Sequence, residues 1–203
     1  MAISNQTGGK SFDRLNAFSD GVFAIAITLL ALDLRLPELH HPTSSQIAQS
    51  IRDQLPNILS FVLSFLLIGR YWIVHHNFFQ TLRRYDNGLL WLNLLFLMSV
   101  VFMPFPTSVL ADYGDQNAGV VFYAASLTVV GLLQAALYYY ASKDHRLIDS
   151  AVEKRKVQYG TRVSLMIPIV FLTSIPVAFY SPTLATVMWL LTLVLRRPLK
   201  YGL

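Results

Sequence analysis

Long apolar blocks separated by short polar stretches run the length of the chain. A helix needs about 20 predominantly apolar residues to cross a bilayer, and six blocks meet or approach that length. The first is residues 14–36, RLNAFSDGVFAIAITLLALDLRL. The second runs from Pro56 to Phe79, the third from Leu89 to Leu110 and the fourth from Ala118 to Ala141. The fifth runs from Thr161 to Phe179, and a short sixth ends near Leu195. Pro104 and Pro106 are expected to bend the far end of the third span, because proline removes a helical donor and crowds the preceding turn. The polar connection 37–55 is expected to turn helical after Ser44, with Ser44 or Ser45 as its cap. The pattern reads as all-α: an integral membrane protein of six transmembrane helices, one domain over residues 1–203, without an internal repeat.

Composition agrees with that reading. The chain is 54% hydrophobic and only 13% charged, against about 25% charged in a typical soluble domain. There is no cysteine, which excludes disulfides, thiolate metal sites and cysteine nucleophiles. The first block is too long and too punctuated by charge for a cleavable signal, so it is expected to remain as the first span. Basic residues set the orientation. With both termini in the cytoplasm, the inner side holds Lys10, Arg14, Arg83, Arg84, Lys143, Arg146, Lys154, Arg155, Lys156, Arg162, Arg196, Arg197 and Lys200, 13 of the 16 Lys and Arg. Arg35 and Arg52 lie outside, and Arg70 falls within the second span. The expected location is a cell membrane, multi-pass, with the first helix running outward.

The first span carries Arg14, Ser19 and Asp20 near one end and Asp33 and Arg35 near the other. Ionisable groups in a span are costly and mark either function or an internal partner. At 100° per residue, Ile25, Leu29 and Leu32 fall within about 60° of one another, with Thr28 about 60° to one side of Ile25. Asp20 points about 140° from Ile25 on the same arithmetic. One helix thus offers an aliphatic ladder and, on another side, a buried acid. Asp20 is either a proton or ion site or part of a network locking this helix to its own subunit. Trp72, His75, His76 and Asn77, near the inner end of the second span, are at the depth to partner it. The ladder is either a lipid-facing or packing stripe, or, where identical subunits meet around an axis, an apolar constriction about 10 Å long that gates by dewetting. Asp33, about 80° from Ile25 by the same helical count, either supplies an acidic vestibule or forms a surface salt bridge with Arg35 or Arg52.

Other chemistry finds little support. His40-His41 and His75-His76 are adjacent pairs, and no histidines stand at the i, i+4 spacing of a helical zinc site; no metal or cofactor is expected. A hydrogen-bonding or pH-sensitive role suits His75 or His76 better. Nucleophile elbows, phosphate-binding glycine loops and paired acids on one membrane face are missing, so an enzyme is not expected. The basic loop 143–156 follows from the topology, with anionic lipid rather than nucleic acid as a further contact.

Arg14-x-x-x-Phe18-Ser19-Asp20 at the start of a first span resembles the RxxxFSD signature of the endolysosomal potassium channel family, transmembrane protein 175. The six-span length and the Tyr71-Trp72-x-x-His75-His76 cluster are similar too. One signature per chain resembles the prokaryotic, single-repeat members. The resemblance implies a homotetramer in which the first helix lines a central pore without a TVGYG filter. It implies that Ile25 is the narrowest point, that Leu29 and Leu32 continue the wall, and that Thr28 occupies a layer favouring potassium. It also implies that Arg14, Phe18, Ser19 and Asp20, with Trp72 and His75 or His76, brace the bundle. The expected function is a potassium-permeable channel, weakly selective over sodium. Its partners are the bilayer, monovalent cations and further copies of the chain. The rivals are a proton-coupled secondary transporter or a proton-permeable channel using Asp20 and the His75/His76 cluster.

Overall fold

A computed structural model of the chain describes the backbone of residues 6–38, 41–148 and 154–194, and the side chains of residues 12–38, 41–148 and 164–192. Among the described residues eight α-helices follow one another: α1 (Gln6–Leu29), α2 (Ser44–Asp53), α3 (Leu55–Phe79), α4 (Asn87–Phe102), α5 (Pro104–Tyr113), α6 (Asn117–Ser142), α7 (Lys154–Tyr180) and α8 (Pro182–Val194). The first continues as a 3₁₀ turn over Leu30–Asp33. Four stretches among the described residues are long and apolar enough to cross a membrane: Phe12–Asp33, Leu55–Phe79, Asn87–Tyr113 and Asn117–His145. The last two apolar helices, Ser164–Tyr180 and Pro182–Thr192, are shorter. Most of the basic residues that set the orientation near the chain ends, and His40, lie outside the described side chains.

One local expectation is corrected. Helix α2 is capped by Thr43 rather than Ser44 or Ser45. Thr43 is extended, its side chain accepts from the Gln46 N–H, and the Gln46 side chain accepts from the Thr43 N–H; the reciprocal box needs Gln three residues on, which only Thr43 has. In the third span the regular hydrogen bonding is interrupted at Met103, whose backbone stays helical, because Pro104 and Pro106 withhold the donors that the carbonyls of Val100 and Phe102 require.

Helix α6 is the hub, in contact with α3, α4, α5, α7 and α8. Its Gly131 lets α7 approach: a Cβ there would lie 2.8 Å from Pro168 and 2.9 Å from the Tyr71 hydroxyl. Trp189 of α8 is fully buried with ring centroids 5.0 Å from Tyr123 and 5.5 Å from Phe171. Its indole N–H donates to Ser174 Oγ at 2.8 Å, so the one polar atom of a large apolar group is satisfied.

Helix α1 sits at the side of this body, against α3 and α4. Among the described residues, Ser19, Phe23 and Ala26 of α1 and Leu30 of the 3₁₀ turn are buried; their spacing of four, three and four places them on one stripe. At the Asp20 end of the bundle two turns are tied together. Leu82 and Ile148 form an isolated antiparallel bridge, and the Arg83 N–H donates to the Leu147 carbonyl at 2.9 Å. Asp86 caps α4 by accepting from the Leu89 N–H at 2.9 Å, and pairs with Arg146 at 3.0 Å and the Tyr140 hydroxyl at 3.1 Å. The Arg146 guanidinium lies 4.4 Å over the Tyr140 ring. Asp144 and His145 take left-handed φ of 54° and 52° to make the turn, a region that aspartate and histidine enter more readily than most residues.

Candidate functional site

The first helix presents two chemically different sides. On the inward side, Ser19 donates to the Leu15 carbonyl at 3.0 Å and accepts from Asn93 Nδ2 at 3.1 Å. The Asn93 carbonyl oxygen lies 2.8 Å from His75 Nε2. With the amide nitrogen turned to Ser19, the oxygen is left as an acceptor, so His75 carries its proton on Nε2. His75 is 2% exposed and lies between Phe79 and Phe96, at centroid distances of 4.0 and 5.4 Å. Serine, asparagine and histidine thus join α1, α4 and α3 through a satisfied chain in an apolar interior, the condition under which buried polar groups are tolerated.

Asp20 stands one residue away and 100° around the helix. It accepts from the Trp72 indole N–H at 2.8 Å, with His76 Nδ1 at 3.9 Å. His76 Nε2 lies 2.8 Å from the Gln80 amide nitrogen, so Nε2 accepts and the proton sits on Nδ1, facing the carboxylate. The Trp72 and His76 rings pack with centroids 5.5 Å apart. The adjacent histidines therefore part company: His75 serves Ser19 through Asn93, and His76 serves Asp20. The expectation of a buried acid is corrected, since the Asp20 side chain is 40% exposed in the single chain; it sits at the border of the inward stripe, not beneath it.

Arg14 and Phe18 are not gathered into these contacts. Arg14 is exposed. Phe18, expected to brace the bundle, is 52% exposed and lies within about 20° of Ile25, on the outward side. Ile25 is 59% exposed, Leu29 36% and Leu32 53%, and Thr28 shares their surface. Thr28 Oγ1 donates to the Ile25 carbonyl at 2.8 Å. Its single proton is committed to the helix, so its oxygen turns only lone pairs outward, the arrangement a cation accepts.

The 3₁₀ turn alters the far end of the ladder. Three residues per turn bring Leu32 directly over Leu29, and a rise of about 2.0 Å per residue there stretches Ile25 to Leu32 to about 12 Å. The same tightening carries Asp33 to about 160° from Ile25, not the 80° of a continuous α-helix. Asp33 is exposed, and among the described residues neither Arg35 nor Arg52 pairs with it; Arg35 Nε donates to the Leu32 carbonyl at 2.9 Å. Among the described residues no three His, Asp or Glu side chains gather as metal ligands.

A bundle of apolar helices, with one edge helix anchored by polar chains on one side and aliphatic on the other, defines an all-helical integral membrane protein. A family model described as "Endosomal/lysosomal potassium channel TMEM175" matches residues 14–104. A protein of Streptomyces collinus named a potassium channel is 40% identical over 144 residues, covering 69% of each chain. The solved structure of a lysosomal potassium-selective channel TMEM175 homolog from Chamaesiphon minutus superposes with a TM-score of 0.80 at 29% identity, covering 91% of this chain and 95% of that one. The zebrafish (Danio rerio) protein named endosomal/lysosomal proton channel TMEM175 is 27% identical over 80% of this chain and 32% of its own length. The chain belongs to the TMEM175 family.

Proposed function

We propose that the chain assembles as a homotetramer into a potassium-permeable channel of a cell membrane, weakly selective over sodium, with both termini cytoplasmic. The observation that carries this reading is the outward face of α1. Ile25, Leu29 and Leu32 stand exposed in the single chain, while the opposite stripe of the same helix is packed and hydrogen-bonded. The family model covers this helix from residue 14, and relatives of the chain are named potassium channels. Four such faces around an axis make a dry aliphatic constriction that gates by dewetting. Potassium sheds its water more readily than sodium, so a tight apolar wall with a Thr28 layer prefers it modestly without a carbonyl filter. Asp33, turned off the ladder line, acts through its charge at the outer mouth and concentrates cations there. Ser19, Asp20, Trp72, His75 and His76 hold the helix.

The test is planar-bilayer recording of purified protein under a potassium/sodium gradient. Unitary currents reversing toward the potassium potential are expected, and Ile25→Asn raises the unit conductance several-fold by wetting the constriction. An unchanged conductance in that variant sinks the assignment of Ile25. A second reading, proton permeation involving Asp20 and His76, is favoured by the 3.9 Å approach of those two groups and by the zebrafish relative's name. A reversal potential that follows a pH gradient would select it. Saturating flux without unitary currents would point instead to a transporter.

A further inference from the structure

Three hydroxyls meet where the third span breaks. Thr107 Oγ1, one turn into α5, lies 2.8 Å from Ser64 Oγ of α3 and 2.8 Å from the Met103 carbonyl oxygen. Ser64 Oγ lies 2.8 Å from the Tyr123 hydroxyl of α6. Ser64 and Tyr123 have no exposed surface, and Thr107 is buried. The break beside them is covalent in origin. Pro104 has no N–H for the Val100 carbonyl, which takes the Met103 N–H at 3.1 Å instead. Pro106 has none for the Phe102 carbonyl, so the backbone between α4 and α5 is thin in hydrogen bonds.

Alanine, valine and phenylalanine would pack at these three positions without burying a polar atom. Hydrogen bonds between helices in a membrane are directional but individually weak, a poor glue and a good catch. Thr107 joins α5 to Ser64 of α3, and Ser64 is held in turn by Tyr123 of α6; α5 also touches α1 and the 3₁₀ turn that carries Leu32 and Asp33. Any tilt of α5 about Met103 therefore displaces the far end of the ladder while α4, with Asn93, keeps its hold on Ser19.

We propose that α5 is a hinged half-helix and that the Thr107–Ser64 contact, with Ser64 held in turn by Tyr123 of α6, is the latch that holds it against α3, so that the outer end of the pore is gated through α5. The gating half of this inference rests on the channel reading above; the hinge half does not. Tyr123→Phe and Thr107→Val each remove one hydroxyl at nearly constant shape, and the phenylalanine keeps the contacts with Phe171 and Trp189. Amide exchange at residues 107–113 is expected to accelerate by about threefold in Thr107→Val, the size of one interhelical hydrogen bond in a membrane, and by less in Tyr123→Phe, which loosens only Ser64, with residues 87–102 unchanged. In single-channel records the open and closed dwell times shift by a similar factor, while unit conductance and the potassium/sodium permeability ratio stay at wild-type values. Wild-type exchange at 107–113 in both variants overturns the latch. Faster exchange with wild-type dwell times overturns its coupling to the pore. A wild-type protein without unitary currents overturns the channel reading and the gating half with it, and the exchange measurement still decides the hinge.

Discussion

Asn93 is one amide in the apolar run LWLNLLFLM, and it joins three helices. Its nitrogen reaches Ser19 and its oxygen meets His75. Asn93→Leu leaves the His75 N–H without an acceptor inside the bundle, and a buried donor stripped of its partner costs about 1–3 kcal/mol. A lower thermal midpoint in detergent is the expected outcome, and a midpoint at the wild-type value would show that the chain of contacts holds nothing. This residue was legible: a lone polar side chain in a span marks a partner or a function, but a reading guided by charge passes over an uncharged amide. The histidine doublet was half legible. Adjacent residues on a helix diverge by about 100°, so the two had to face different partners, yet which faced Asp20 depends on how α3 is turned against α1. The exposure of Phe18 was available from its angle to Ile25 and was hidden by its place in the RxxxFSD string.

Between elements, the turns at the Asp20 end of the bundle are held chiefly by electrostatics. Asp86 receives the Leu89 N–H, the Tyr140 hydroxyl and Arg146. Desolvation pushes its pKa up, but these donors and the Arg146 charge outweigh it and hold the carboxyl below the ordinary carboxylate range. A depressed folded pKa gives stabilisation that is fully present above the unfolded value near 4 and is lost as pH falls through the folded one. Thermal midpoints of the wild type are therefore expected to fall more steeply below about pH 4 than those of Asp86→Asn; parallel curves would remove Asp86 from the account. The four long spans were readable from apolar blocks alone, and the prolines announced the weak point of the third. The change from α to 3₁₀ geometry after Leu29 was not readable. No proline or glycine stands at Leu30–Asp33, and extending 100° per residue through it misplaced Asp33.

At the scale of the molecule, packing is unequal. Helices α6, α7 and α8 interlock around Gly131, Pro168 and Trp189, whereas α1 leans on α3 and α4 and leaves one face open. Gly21 lies on that face, and a Cβ there meets nothing within 4 Å. Gly21→Leu is thus expected to fold as the single chain does but to lower the tetramer fraction or the unit conductance where four helices converge. Wild-type assembly and conductance together would place Gly21, and the face with it, away from the proposed axis. The number of subunits was never legible in the residues, because an exposed aliphatic stripe has the same composition whether lipid or a neighbour covers it. The unequal packing also bears on how the protein is made. Chains emerge from the ribosome N-terminus first, so α1 enters the membrane before any helix that satisfies it. Asp20 waits for a donor 52 residues downstream, and Ser19 for one 74 residues downstream. Helix α1 is therefore made before the partners of its polar residues, which stay without them until α3 and α4 arrive.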